Sequence, residues 1–316
     1  MTENTEYKAI FEREIIQKSK GIIFSYSPID DKYKFQPYSH STESTAIEDL
    51  GELMRHNLLF YSFGEDEVVA YYKKDCFSTL EQAAQFAYKQ RLPKRAETND
   101  GLPSEVLLDL LIQLYNPNAY KLAVRTIFRQ YDNNEIKGYD LTYFTKDGSD
   151  ITLWLGQAKL GEKSYCKKSI DDDLTKKYET VYLAKQLFFV CDKRVNITKD
   201  ADELLTLIEK LNIQMMNDND ENRAKGLIEL FKKEKLKIKI PCLLAYDSST
   251  VYGDESQLYE QLETEVLSIR DYYHGKNYVF SGFAPEIVFY IFPIESVNRL
   301  RNKEKGFYAG LCQPTS

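Results

Sequence analysis

The sequence predicts an α/β protein, or α+β with a mixed central sheet, and three observations carry that prediction. Apolar stripes of helical period alternate with strand-type runs along residues 99–294 instead of falling into separate blocks. The tetrad Lys146-Asp147-Gly148-Ser149 lies between two strand-type runs and signals a β-hairpin. The 316 residues, 43% hydrophobic and 29% charged, suffice to bury one large core or two modest ones. With 14 Gly, 9 Pro and no persistent heptad, collagen-like, disordered and coiled-coil classes are excluded.

The first hundred residues read as a short strand (21–27), an amphipathic helix (47–60), a β-rich run (67–73) and a helix (78–90). Ser78 is placed to cap that last helix, with Glu81 three residues on as its capping-box partner, and Leu80, Ala83, Ala84 and Ala87 form a small apolar face. The polar stretch 93–101 reads as a connection. A boundary is expected near residue 98, between an N-terminal α+β segment (1–98) and a larger domain (99–316). Asn99 or Asp100 then caps a helix with Pro103 in its first turn and a stripe of Val106, Leu107, Leu110, Leu111 and Leu114. Strands are expected at 121–131, 138–145 and 151–160, a charged helix at 169–185 and a buried-type strand at 186–191. The order is therefore α-β-β-β-α-β. Two helices (201–211, 222–234), a strand (237–246), a long helix (256–273) and a strand (286–294) follow.

Charge and motifs narrow the function classes. Against 42 Lys and Arg stand 49 Asp and Glu, a formal net charge of -7, so this is not a basic, autonomous nucleic-acid-binding module. A DNA-acting protein of this charge needs a partner to load it. No GxxxxGK[ST] is present, so no ATP hydrolysis is expected of this chain. His40, His56 and His274 show no zinc-ligand spacing. The five cysteines are scattered without a CxxC and read as reduced thiols of a cytoplasmic protein. No apolar signal-peptide region opens the sequence, and the stretch 278–294 is too short and polar to span a bilayer.

The hairpin carries the chemistry. With Asp147-Gly148 as a two-residue loop, Asp140 lies opposite Leu155, and Leu155, Gln157 and Lys159 share its face of the sheet. Asp140 and Gln157 can then reach one metal ion between them, with Lys159 one step further along. Glu105, at the start of the preceding helix, can add a second carboxylate. Taken singly these residues are bland: Glu105 is an acid favoured in a first helical turn, Asp140 a strand-edge residue, Lys159 a solvated strand end. Their joint order on one face points to a metal-dependent nuclease site. Lys121, Arg125 and Arg129 are candidate phosphate contacts, as are Lys163, Lys167 and Lys168 beyond the hairpin, although a solvated face is the commoner outcome for each group.

A helical acid followed by D…(D/E)-x-K resembles the restriction-endonuclease-like (PD-(D/E)xK) core. The blocks SEVLLDLLIQLY, KGYDLTYF and LWLGQAKL, with IPCLLAYD and EIVFYIFPIESV later, resemble the HamA family. HamA is the nuclease subunit of the Hachiman antiphage defence system and works with the helicase HamB. The resemblance covers residues 100–316. It implies an Mg²⁺- or Mn²⁺-dependent deoxyribonuclease with Glu105, Asp140, Gln157 and Lys159 as catalytic residues. Metal ligands would come from Glu105, Asp140, Gln157 and the Ala158 carbonyl, DNA contacts from Arg125, Lys163, Lys167 and Lys168, and ATPase power from a HamB-like helicase. Gln157 departs from the family's usual acid and brings an amide oxygen without charge, which weakens metal binding. The alternative is a catalytically silent, helicase-binding, DNA-sensing adaptor.

Overall fold

The computed structural model describes residues 5–92, 100–124, 138–148, 150–192 and 199–311. Helix α1 (Thr5–Phe11) runs through a π-helical turn into α2 (Gln17–Ser19), followed by strands β1 (Ile23–Ser25), β2 (Ile29–Asp30) and β3 (Lys34–His40). Helices α3 (Ala46–His56), α4 (Leu58–Ser62), α5 (Glu65–Lys73), α6 (Leu80–Arg91) and α7 (Leu102–Tyr115) come next. Strands β4 (Tyr120–Ala123), β5 (Leu141–Asp147) and β6 (Asp150–Gly161) lead to helices α8 (Lys163–Lys176), α9 (Thr180–Asp192), α10 (Lys199–Gln214) and α11 (Asp220–Lys233). The chain closes with β7 (Lys237–Asp247), α12 (Leu258–His274), β8 (Glu286–Ile294) and α13 (Val297–Leu300).

The eight strands form one mixed sheet in the order β1-β3-β8-β7-β6-β5-β4, with β2 paired to β3. Its centre, β6-β7-β8-β3, is parallel. The two crossovers that join successive parallel strands are helical, α8–α11 between β6 and β7 and α12 between β7 and β8. Helices therefore cover both faces. Leu243 and Ala245 of β7 enter one core with α3, α4 and α7, while Cys242, Leu244 and Tyr246 enter the other with α8, α9 and α12. That two-sided burial is why β7 and β8 read as near-continuous apolar runs. Among the described residues no helix is long and apolar enough to cross a membrane.

Helix α7 is buried along nearly its whole length, as an all-round apolar helix must be. It lies close under β6 at Gly156, where a Cβ would stand only 3.0 Å from Leu108 and 3.2 Å from Leu141. Of its two buried acids, Asp109 is satisfied by Asn57, Gln113 and Tyr143 at 2.6–2.9 Å and pairs with Lys121 at 3.4 Å. Lys121, expected among possible phosphate contacts, is thus a buried ion-pair partner, because its face of β4 turns inward.

Several expectations are corrected. Residues 67–73, read as β-rich, belong to α5: Glu67 accepts the Gly64 N–H at 3.0 Å, and this cap with the burial of Val68 and Val69 overrides β-propensity. Residues 186–191, read as a strand, continue α9, where Leu183, Ala184, Leu187, Phe188 and Cys191 bury one helical face. The fourth strand of the α-β-β-β-α-β order is β7. The cap of α6 is Thr79, which accepts the Gln82 N–H at 3.2 Å, not Ser78. Asp147 pairs with Asp150, so the hairpin loop lies one residue later than expected, with Gly148 at φ +58°. The registers differ by two, which keeps every side chain on its expected face. Of the strand expected at 121–131, Tyr120–Ala123 is a strand and Val124 lies past its end; residues 125–131, with Arg125, Arg129 and the expected boundary near 98, lie outside the described residues.

Candidate active site

Asp140 precedes β5 and is anchored to β6 by its own backbone and side chain. Its N–H donates to the Gly156 carbonyl at 3.0 Å, and its Oδ2 accepts the Ala158 N–H at 2.8 Å. The carboxylate is therefore fixed near the carboxyl end of β6, where α/β sheets form their ligand crevices. A cavity of about 590 Å³ opens there. Glu105 reaches it from the first turn of α7 and accepts the Tyr61 hydroxyl at 2.6 Å. Asp100 accepts the Leu102 N–H at 2.8 Å and the Tyr308 hydroxyl at 2.6 Å; it stands one residue before Gly101, which holds the N-cap position of α7 in place of the expected Asn99 or Asp100. Arg301 donates to the carbonyls of Asp100 and Leu160, both at 3.3 Å.

Lys159 also lines the cavity. Its Nζ lies 2.6 Å from Asp173 and 4.0 Å from Asp140. Burial works against the ammonium, but the two carboxylates outweigh it and hold its pKa above the ordinary lysine value. Lys159 presents a cation, not a base. Asp173 also takes Lys177 at 3.2 Å, and Lys177 donates to Gln157 Oε1 at 2.5 Å.

The structure therefore splits the expected quartet. Glu105, Asp140 and Lys159 share one cavity with Ala158; Gln157 does not line it. Its side chain is fully buried and turned to Lys177 under α8. Of the expected DNA contacts, Lys163 pairs with Glu265 at 2.6 Å, Lys167 sits 4.7 Å above the Tyr272 ring and Lys168 is exposed on α8. Sequence reasoning missed Asp100 as a wall residue, Asp173 and Lys177 as the partners holding Lys159 and Gln157, and Tyr61 and Arg301. The i,i+4 pair Asp173–Lys177 left a signal; Tyr61 and Arg301, brought in from remote segments, left none.

Among the described residues no three His, Cys, Asp or Glu side chains form a ready metal cluster. The donor chemistry nonetheless fits a hard cation: Mg²⁺ takes one or two carboxylates and keeps several waters, and Asp140 and Glu105 are two. The wall also carries Asp100, Glu105, Asp140 and Glu162 against Lys159 and Arg301, an excess of negative charge that disfavours a phosphate unless a cation offsets it.

A mixed α/β sheet with acids and a lysine around a crevice at its strand ends defines a class of protein, not yet a family. The HamA family model matches residues 13–311, nearly the whole chain. The chain belongs to the HamA family. HamA is the family of the Hachiman system, and membership assigns the chain to antiphage defence. No curated protein matches the chain.

Proposed function

We propose that this chain is a metal-dependent DNA nuclease that works with a HamB-like helicase. The observation that supports the reading is the convergence of Asp140, Glu105 and Lys159, from three separate segments of the chain, on one cavity. Phosphodiester hydrolysis needs an oriented water and relief of the charge that grows on the scissile phosphate. Asp140 and Glu105 would hold Mg²⁺ or Mn²⁺, which when bound supplies Lewis-acid activation at the phosphate. Ala158 holds Asp140 through its N–H, so the carboxylate is oriented before any ligand arrives. The Lys159 ammonium offsets charge on the phosphate, and the proton of the attacking water passes to a carboxylate of the wall. With a net charge of -7, the lone chain binds DNA weakly at ~150 mM salt, and the helicase delivers the strand.

Cleavage of DNA with Mg²⁺ or Mn²⁺ is expected to fall about 100- to 1000-fold in Lys159→Ala. Equal cleavage by both proteins removes the assignment. The burial of Gln157 against Lys177 favours one second reading, a silent DNA-sensing adaptor, because it leaves the cavity without a third oxygen donor from that strand. A helicase complex that cuts nothing yet protects cells decides for the adaptor.

A further inference from the structure

Tyr165, in the first turn of α8, lines the same cavity as Asp140 and Lys159 and leaves 54% of its surface exposed. Other exposed tyrosine rings lean on a neighbour: Tyr115 on Tyr38 at 5.3 Å, Tyr259 on Tyr26 at 6.0 Å. Among the described residues no ring contact or side-chain hydrogen bond engages Tyr165. It stands at the end of β6, its Cδ1 3.4 Å from where a Cβ on Gly161 would lie. An aromatic ring kept in water at the mouth of a charged cavity calls for an occupant with a flat apolar face.

Electrostatics alone does not draw a nucleic-acid backbone into this cavity, since its wall holds more carboxylates than cations. Affinity there must come from a contact that does not depend on charge. Stacking of a base on an aromatic ring is such a contact, worth about 5- to 150-fold in affinity per base. A base inside a duplex has both faces covered by its neighbours, so only an unpaired or extruded base can offer one. Lys168, exposed and three residues on, shares the Tyr165 face of α8 and suits the adjoining phosphate. Asp172, four residues beyond Lys168, carries the opposite charge but is paired with Lys176 at 3.4 Å.

We propose that Tyr165 is a stacking platform for one unpaired base beside the scissile phosphate, so that the cavity takes single-stranded DNA, as a free strand or a splayed end. The word scissile rests on the nuclease reading; the platform itself is tested by binding. The full chain, with Ca²⁺ in place of Mg²⁺ and at low salt, is titrated with a single-stranded oligodeoxynucleotide carrying one 2-aminopurine, and with the same strand in a duplex. The wild type is expected to prefer the single strand and to quench its fluorescence, and Tyr165→Phe to do the same. Tyr165→Ala is expected to lose the quench and to bind the single strand about 5- to 150-fold more weakly, with duplex binding and Tm unchanged. The platform is overturned if Tyr165→Ala matches the wild type, if Tyr165→Phe fails along with it, or if the wild type binds the duplex equally well or neither DNA. Cleavage is read separately. A wild type that stacks the base yet cuts nothing with Mg²⁺ or Mn²⁺ keeps the platform and loses the nuclease reading; a wild type that cuts while Tyr165→Ala binds normally does the reverse.

Discussion

The Oε1 of Gln157 accepts from Lys177 at 2.5 Å in a fully buried position. A glutamate at this position meets the Lys177 ammonium and not the cavity. Gln157→Glu is therefore expected to leave the Mg²⁺ concentration for half-maximal cleavage unchanged in a metal titration. A lowered requirement would show instead that residue 157 turns into the cavity and ligates the ion. In a Lys177→Met background the same glutamate is buried and unpaired, and should cost about 3–5 kcal/mol in urea denaturation. No such loss would mean that Lys177 does not serve this position. At the residue scale, then, Asp140, Glu105 and Lys159 were legible as chemistry-bearing types in a telling order. The direction of Gln157 was not, because it depends on a lysine twenty residues away.

At the scale of the elements, the end of β3 is latched to the end of β8 by His40. Its Nε2 accepts the Glu295 N–H at 3.0 Å, which leaves Nδ1 to donate to the Ser41 carbonyl at 2.6 Å. The ring stacks on Tyr252 at 3.8 Å. This arrangement requires the neutral imidazole. Burial, aided by the Arg299 charge and opposed by the Ser41 bond, pushes the His40 pKa from 6.5 down to about 4. A depressed pKa contributes stability above the unfolded value that is lost as pH falls. Between pH 6.5 and 4 the latch should forfeit about 3 kcal/mol. Urea midpoints of wild type and His40→Gln, compared across that window, should show the steeper acid loss in the wild type; parallel slopes would refute it. The same scale holds the misread elements: the residues of α5 and α9 favour strands locally, and only the neighbours they bury against make them helices.

Across the whole molecule, the N-terminal segment is part of the sheet and of the site. β3 lies between β1 and β8, Tyr61 holds Glu105, and Asn57 holds Asp109. One core joins Leu50, Leu58 and Phe60 to Leu107, Leu110 and Leu111. A chain beginning at residue 100 would expose that core and the edge of β8. It is expected to show no cooperative thermal transition by circular dichroism, whereas the full chain melts in one. A sharp melt of the shortened chain would establish residues 100–316 as an independent unit.

The amino-acid order by itself determined the α/β class, the hairpin, most helices after residue 99 and the faces of β5 and β6. These depend on local periodicity and turn chemistry, which a reader of the chain can follow. It also placed an acid, a second acid and a lysine in an order that a fold could gather. Tertiary structure alone decided that β1 and β3 extend the same sheet, that Lys121 is buried and that Arg301 and Tyr61 support the cavity wall. It also decided that Gln157 is taken up by Lys177 and stays out of the cavity wall, while Tyr165 joins it. Such outcomes are set by contacts between residues tens to hundreds of positions apart, where burial and ion pairing outweigh propensities of a few tenths of a kcal/mol, and no local pattern records them.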